Sequence, residues 1–300
     1  MNRVNNWPKK TAIGHKMTSF HQLIEVAELK AVNNADECRV IDCRFDLLQP
    51  DKGRSEYLDG HIPGAVYADL NRDLAAPVTD SCGRHPLPEA SVFQATLANW
   101  GIGSGSQVVV YDHASGGLAA RLWWMLRWLG HQRVAVLNGG LKAWCAAGEV
   151  LEQSVPNYPV ADFAGSPDPG RIVTTDEVCA ALHDGRPMQL VDARDRPRFD
   201  GHTEPIDSVA GHIPGALNFP FSENLHTDGT WKSPDELRRA WAEVLGTDAT
   251  APITVMCGSG VTACHLVLSA GIAGIDEPRV YIGSWSEWLR DASRPVAVVA

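Results

Sequence analysis

Two tandem α/β domains, each a parallel β-sheet flanked by helices on both faces, are the architecture that this 300-residue sequence predicts. Two observations carry the prediction. First, the sequence repeats itself. Gly60-His61-Ile62-Pro63-Gly64-Ala65 returns letter for letter at residues 211–216, and Val40-Ile41-Asp42-Cys43-Arg44 returns as Leu190-Val191-Asp192-Ala193-Arg194. Residues 134–144 are echoed at 280–288, so several matches recur in one order, which marks a duplication. Second, short apolar, β-branched runs alternate with helical patterns in each copy, as parallel strands joined by helical crossovers require.

In the first copy, residues 20–32 read as a helix and 39–42 as a buried strand. Residues 88–100 form a second helix, stopped by Gly101. Residues 107–111 are a strand with the apolar character of a central parallel strand. The helix expected at 117–129 carries Trp123, Trp124 and Trp128, which are assigned to packing against the sheet or the other domain. Strand 134–137 and helix 141–147 close the unit. Residues 149–170 hold four prolines without periodicity and read as the linker, so the domains fall at 19–148 and 171–300 behind a disordered tail at 1–18. The second copy opens with Thr174-Thr175-Asp176-Glu177, a capping-box pattern, and continues into a strand at 188–192. Ser233-Pro234-Asp235-Glu236 starts a further helix with a cap, a first-turn proline and an acid.

The composition, 44% hydrophobic and 21% charged, is that of a soluble globular chain. A net charge of −10 argues against nucleic acid as a partner, and no apolar run approaches the roughly 18 residues of a membrane span. The first twenty residues are polar; Arg3, Lys9, Lys10 and Lys16 give them a weak transit-peptide character, and Met17 is an alternative start. Seven cysteines without a secretion signal point to reduced thiols in a cytoplasmic setting. Cys257, Cys264 and His265 lack zinc-ligand spacing, so no metal is expected.

The candidate nucleophile is Cys257. It follows the strand-like run Ile253-Thr254-Val255-Met256 and precedes Gly258-Ser259-Gly260, with a helix expected over 261–270. A thiol there faces loop amides and the positive end of a helix dipole, both of which favour the nucleophilic thiolate. Gly258 and Gly260 let the backbone curl round the sulfur. Ser259 is a candidate proton carrier, and Val261 and Thr262 complete the binding loop.

The paired hexapeptides, the Asp-x-Arg after each first strand and Cys257-Gly-Ser-Gly-Val-Thr262 resemble the two-domain rhodanese superfamily of sulfurtransferases, over about residues 19–290. The resemblance implies two rhodanese-like domains and a cysteine that takes sulfur from a donor, holds it as a persulfide and passes it to a thiol, cyanide or thioredoxin-like acceptor. It implies no cofactor. The first copy has Asp112 in place of the cysteine and is expected to be inactive. The neutral residues after Cys257 resemble those of enzymes using 3-mercaptopyruvate, with thiosulfate as the alternative donor. By the same resemblance, Arg198 binds the donor's anionic group and His85, in Gly83-Arg84-His85-Pro86-Leu87-Pro88, belongs to a Ser-His-Asp relay. The relay's acid position falls on Asn71, with Asp69 nearby, and residues 201–210 lack the second arginine that such enzymes carry. A single arginine should raise KM. Asp42, Arg44, Asp192, Arg194, His61 and His212 recur in both copies and are read as structural. Two rival readings stand beside this one: a phosphatase, which needs a Cys-x5-Arg loop where position 263 is alanine, and a scaffold without turnover.

Overall fold

The computed structural model describes residues 19–33, 35–185, 187–246 and 251–299; the tail expected at 1–18 lies outside them. The first half runs β1 (Leu23–Ile24), α1 (Val26–Val32), β2 (Cys38–Asp42), α2 (Lys52–Asp59), β3 (Val66–Tyr67), α3 (Ala90–Asn99), β4 (Gln107–Tyr111), α4 (Ala119–Trp128), β5 (Val134–Leu137) and α5 (Gly140–Ala146). Its strands form one parallel sheet in the order β1-β5-β4-β2-β3. The second half repeats the plan with β6 (Ile172–Val173), α6 (Thr175–Asp184), β7 (Gln189–Asp192), α7 (Arg196–Phe199), β8 (Leu217–Asn218), α8 (Pro234–Leu245), β9 (Ile253–Met256), α9 (Ala263–Ala273), β10 (Arg279–Tyr281) and α10 (Ser284–Trp288). Its sheet order, β6-β10-β9-β7-β8, is the same arrangement, again parallel throughout.

Alternate side chains of β4 go to opposite cores, as a strand covered on both faces requires. Val108 and Val110 face α4 and the second domain, whereas Val109 and Tyr111 pack with Ile24, Leu29, Ile62 and Trp144. Helix α4 packs on α9, so one apolar cluster runs from domain to domain through Trp123 and Trp124. Replacing either buried indole with alanine costs ~3–5 kcal/mol.

The recurring Asp-x-Arg and hexapeptide motifs explain each other. Arg44 clasps Asp42 (Nη2 to Oδ2, 2.7 Å) and donates to the Gly60 carbonyl at 2.8 Å. Arg194 does the same to Asp192 and Gly211, both at 2.7 Å. His61 stacks on Tyr57 and His212 on Phe199, with ring centroids 4.0 and 3.9 Å apart.

Several elements depart from the sequence reading; β3, α7 and β8 are short segments without a local pattern, and three others have a definite physical reason. The helix expected over 20–32 is divided: Leu23 and Ile24 pair with β5, and α1 starts only after Glu25, which shares a capping box with Glu28. Burial of Ile24 at the sheet edge outweighs local helix propensity there. Helix α9 starts at Ala263 instead of 261, because the turn before it closes through tighter i→i+3 bonds, from Cys264 N–H to the Val261 carbonyl and from His265 N–H to the Thr262 carbonyl, both 3.1 Å. Helix α2 was not anticipated, its sequence being polar and weakly patterned.

Candidate active site

Cys257 follows β9, a central strand, at its carboxyl end, where open parallel sheets place their ligands. The loop around it is fixed by the start of α10. The Cys257 N–H donates to Ser284 Oγ (3.1 Å), and the carbonyls of Cys257 and Gly258 accept from Trp285 and Ser286 N–H at 3.0 and 2.9 Å. Ser284 has a φ of 52°, the sole positive φ on a non-glycine among the described residues. Such a backbone costs of order 1–3 kcal/mol, offset here by hydrogen bonds to Cys257 and the Tyr281 carbonyl. At Gly260 a Cβ would sit 2.5 Å from the Ile282 carbonyl oxygen, so only glycine fits. The Ser259 amide donates to Cys257 Sγ at 3.5 Å.

His85 crosses from the first domain to meet Ser259, its Nδ1 lying 2.7 Å from the hydroxyl oxygen. Burial, reinforced by the charges of Arg121 and Arg84, depresses His85 to about 3, so the ring is neutral at physiological pH. A neutral imidazole can accept the serine proton on Nδ1. The relay's third member is missing. Asp69 accepts the amides of Asn71 and Arg72 in its own turn, and among the described residues no carboxylate bonds His85.

Cys257, Gly258, Ser259, Val261, Thr262, His85 and Arg198 line one cavity of about 150 Å³, closed by Phe45, Leu70 and Leu118 of the first domain. That is small beside the ~300 Å³ lower bound of drug-sized pockets and suits a molecule of a few heavy atoms. Gly260 shapes the loop from behind and does not line it. Arg198 stands at the edge with Nε on Glu204 (3.0 and 3.1 Å) and Nη2 on Asp207 (3.2 Å). Burial alone would raise Glu204, but the bonds from Arg198 and the amides of Asp207 and Ile206 hold it below the ordinary carboxylate range. Burial prevails at Asp207 and raises it.

The rhodanese-like domain family matches residues 25–147 and 174–291, nearly the whole of both repeats. The chain belongs to the rhodanese family. Among its relatives, a probable 3-mercaptopyruvate sulfurtransferase of Pseudomonas aeruginosa is 45% identical over 282 residues, covering 93% of this chain and 99% of that one. The thiosulfate sulfurtransferase of Bos taurus is 37% identical over 261 residues, covering 85% and 86%. The crystal structure of SseA from Escherichia coli, a 3-mercaptopyruvate sulfotransferase, matches with a TM-score of 0.78 and 32% identity over 89% of this chain and 100% of that one.

Two arginines of this rhodanese's first domain escaped the sequence reading. Arg121, in α4, is wholly buried and donates to three carbonyls: Gly260 (3.1 Å), His85 (3.0 Å) and Leu74 (3.3 Å). One guanidinium thus fixes the cysteine loop and the histidine segment relative to each other. Burial draws its pKa down, opposed by the nearby Cys264 and Cys257. Cys264 itself is pushed up to about 12 by burial and gives its thiol hydrogen to the Gly260 carbonyl, so it does not compete as a nucleophile. Arg84 is the second. Its N–H bonds Ser286 Oγ at 3.0 Å, and its guanidinium lines the cavity beside Arg198. Residues 201–210 hold no arginine or lysine, as expected, and the second arginine lining the cavity comes from the other domain. Its adjacency to His85 was the available signal.

Proposed function

We propose that this rhodanese transfers sulfur from 3-mercaptopyruvate to a thiol or cyanide through a persulfide on Cys257. The observation that carries the reading is the shared cavity. A thiol, a serine bonded to a neutral histidine and a guanidinium meet there in a space sized for a small α-keto acid.

In this reading the donor's carboxylate bonds Arg198 and its sulfur lies against Cys257. The Cys257 thiolate attacks that sulfur, forming an S–S bond as the donor's C–S bond breaks. The bonding pair goes to carbon and gives the enolate of pyruvate. The donor's thiol proton passes through the Ser259 hydroxyl to the enolate carbon, completing pyruvate. His85, held neutral, accepts the Ser259 hydrogen and sets the direction of its lone pairs, so the pair conducts a proton without storing one. An acceptor thiolate then attacks the outer sulfur of the persulfide and regenerates the Cys257 thiolate. Neither half needs an external oxidant or reductant. A thioredoxin-like dithiol is a suitable acceptor, and all seven cysteines being free suits a reducing cytoplasm. No helix among the described residues is long and apolar enough to cross a membrane.

Thiosulfate is the second reading, favoured by the bovine relative and by an anion site able to hold either donor. Steady-state kinetics with both donors decides. The leading reading expects kcat/KM for 3-mercaptopyruvate to exceed that for thiosulfate by at least about tenfold, and the reverse order overturns it. Absence of turnover with either donor would leave the scaffold reading.

A further inference from the structure

We infer that Arg121, on a helix of the first domain, supplies the positive charge that balances the Cys257 thiolate in the second. It lies behind the cysteine loop and does not line the cavity, so it acts on the nucleophile as a positioning residue and does not meet the donor. The inference rests on Cys257 being the nucleophile and adds what holds that sulfur as an anion. Arg121 is wholly buried, and its guanidinium donates only to uncharged groups, the carbonyls of Gly260, His85 and Leu74. Its Nε is buried without a hydrogen bond.

No carboxylate among the described residues pairs with it. Acids near its partners in sequence are engaged elsewhere: Asp73 accepts the Asp69 amide, and Asp112 is filled by four amides of its own loop. A buried cation normally has an anion beside it, because taking an unpaired charge out of water is unfavourable. Two groups that feel the charge of Arg121 are able to become anions, Cys264 and Cys257. Cys264 keeps its hydrogen, which it gives to the same Gly260 carbonyl that Arg121 holds. Cys257, in the same loop as Gly260, is left to carry the balancing charge.

The other charged groups around the sulfur are matched. Arg84 and Arg198 line the cavity but are balanced by Asp207 and Glu204, and Arg194 is balanced by Asp192. Glu287, from α10, faces the Gly83 amide and the Thr175 hydroxyl. His85 is neutral, and after burial the charge of Arg121 contributes to keeping it so. Of these four arginines, Arg121 alone has no carboxylate partner among the described residues. Attraction between opposite charges is far stronger in a dry interior than in water, so a guanidinium held behind the loop acts strongly on the ionisation of the sulfur in front of it.

The test is alkylation of the donor-free protein by iodoacetamide, an uncharged reagent that reacts with thiolates, read by mass spectrometry on the peptide containing Cys257. Arg121→Gln, which keeps an amide donor and loses the charge, should slow the reaction at pH 7 at least about tenfold. At about pH 10, where a thiol ionises unaided, its rate should stay within about threefold of the parent's. Arg121→Lys keeps the charge and should stay within about threefold at both pH values. An Arg121→Gln loss equal at the two pH values, no loss at all, or an Arg121→Lys loss as large as that of Arg121→Gln would overturn the inference. The parent arginine gives a second reading. Cys257→Ser deletes the anion, so its melting temperature should fall below the parent's by at least about 2 °C more at pH 8.5 than at pH 5, where protonation has already removed the charge. A difference that is the same at both pH values also overturns it. Neither measurement uses a donor, so a protein that behaves as expected here and turns over neither donor would refute the functional reading and leave the counter-charge standing.

Discussion

The two domains present the same strand-loop-helix at the same place and fill it differently. In the first, Asp112 follows β4, and its carboxylate collects four backbone amides: Ala114 and Gly116 on one oxygen (3.1 and 2.9 Å), Leu118 and Ala119 on the other (2.9 and 3.2 Å). In the second, Cys257 occupies that position and has one amide, Ser259, within reach of its sulfur. The first loop is closed on its own anion and carries structure; the second keeps its capacity for a reacting sulfur. The helices then cross over. Arg121 of α4 bonds the Gly260 carbonyl in the second loop, and His265 of α9 bonds the Ser115 carbonyl in the first at 3.0 Å. Each domain holds the other's loop. Duplication thus yielded two loops of one plan, each tied to a helix of the other domain.

Making the loops alike is the severest test of that contrast. Cys257→Asp should abolish turnover, a loss of at least ~10³-fold, while melting no lower than the parent. Residual turnover measured with either donor would break the comparison. Cutting the cross-tie comes next. Arg121→Lys keeps the charge but not the three-way fork, so kcat should fall ~10- to 100-fold with KM little changed, and stopped-flow of the first half-reaction should carry the loss.

The reciprocal tie supplies a pH signature. His265 is buried against Trp231, and burial depresses it to about 3, as it does His85. A folded pKa below the unfolded value of about 6.5 means that the unfolded chain binds more protons in between. The stability due to these neutral rings is therefore complete above pH ~6.5 and is lost as pH falls towards 3, by up to about 1.4 kcal/mol per unit for each ring. Thermal melts of the parent and of His265→Gln at pH 7 and 5 should show a smaller acid shift in the variant. A parent melting temperature flat over that interval would contradict the assignment. The smallest effect is expected in the idle loop. Asp112→Asn should cost ~1–3 kcal/mol in denaturant unfolding while turnover stays within about threefold.

Much of this was legible in the sequence because it lies in contiguous motifs. The repeated hexapeptide and Asp-x-Arg fixed the two-domain plan, and Ser233-Pro234-Asp235-Glu236 became the capped start of α8. The Cys257–Ser259 loop, His85 and Arg198, far apart in the chain, do meet in one cavity. What escaped depends on how the domains face each other. No local pattern marks Arg84 or Arg121, and only the fold brings one beside Gly258 and the other behind Gly260. Periodicity also missed the division of residues 20–32, because pairing of Leu23 and Ile24 with β5 is a long-range contact that no local pattern encodes.

The central claim, that the second loop holds a transferred sulfur and the first does not, is tested most directly by mass spectrometry of the protein mixed with 3-mercaptopyruvate and no acceptor. The account predicts a gain of about 32 Da confined to the peptide containing Cys257 and removed by added thiol. No gain, or one on another cysteine with Cys257 unmodified, would contradict it.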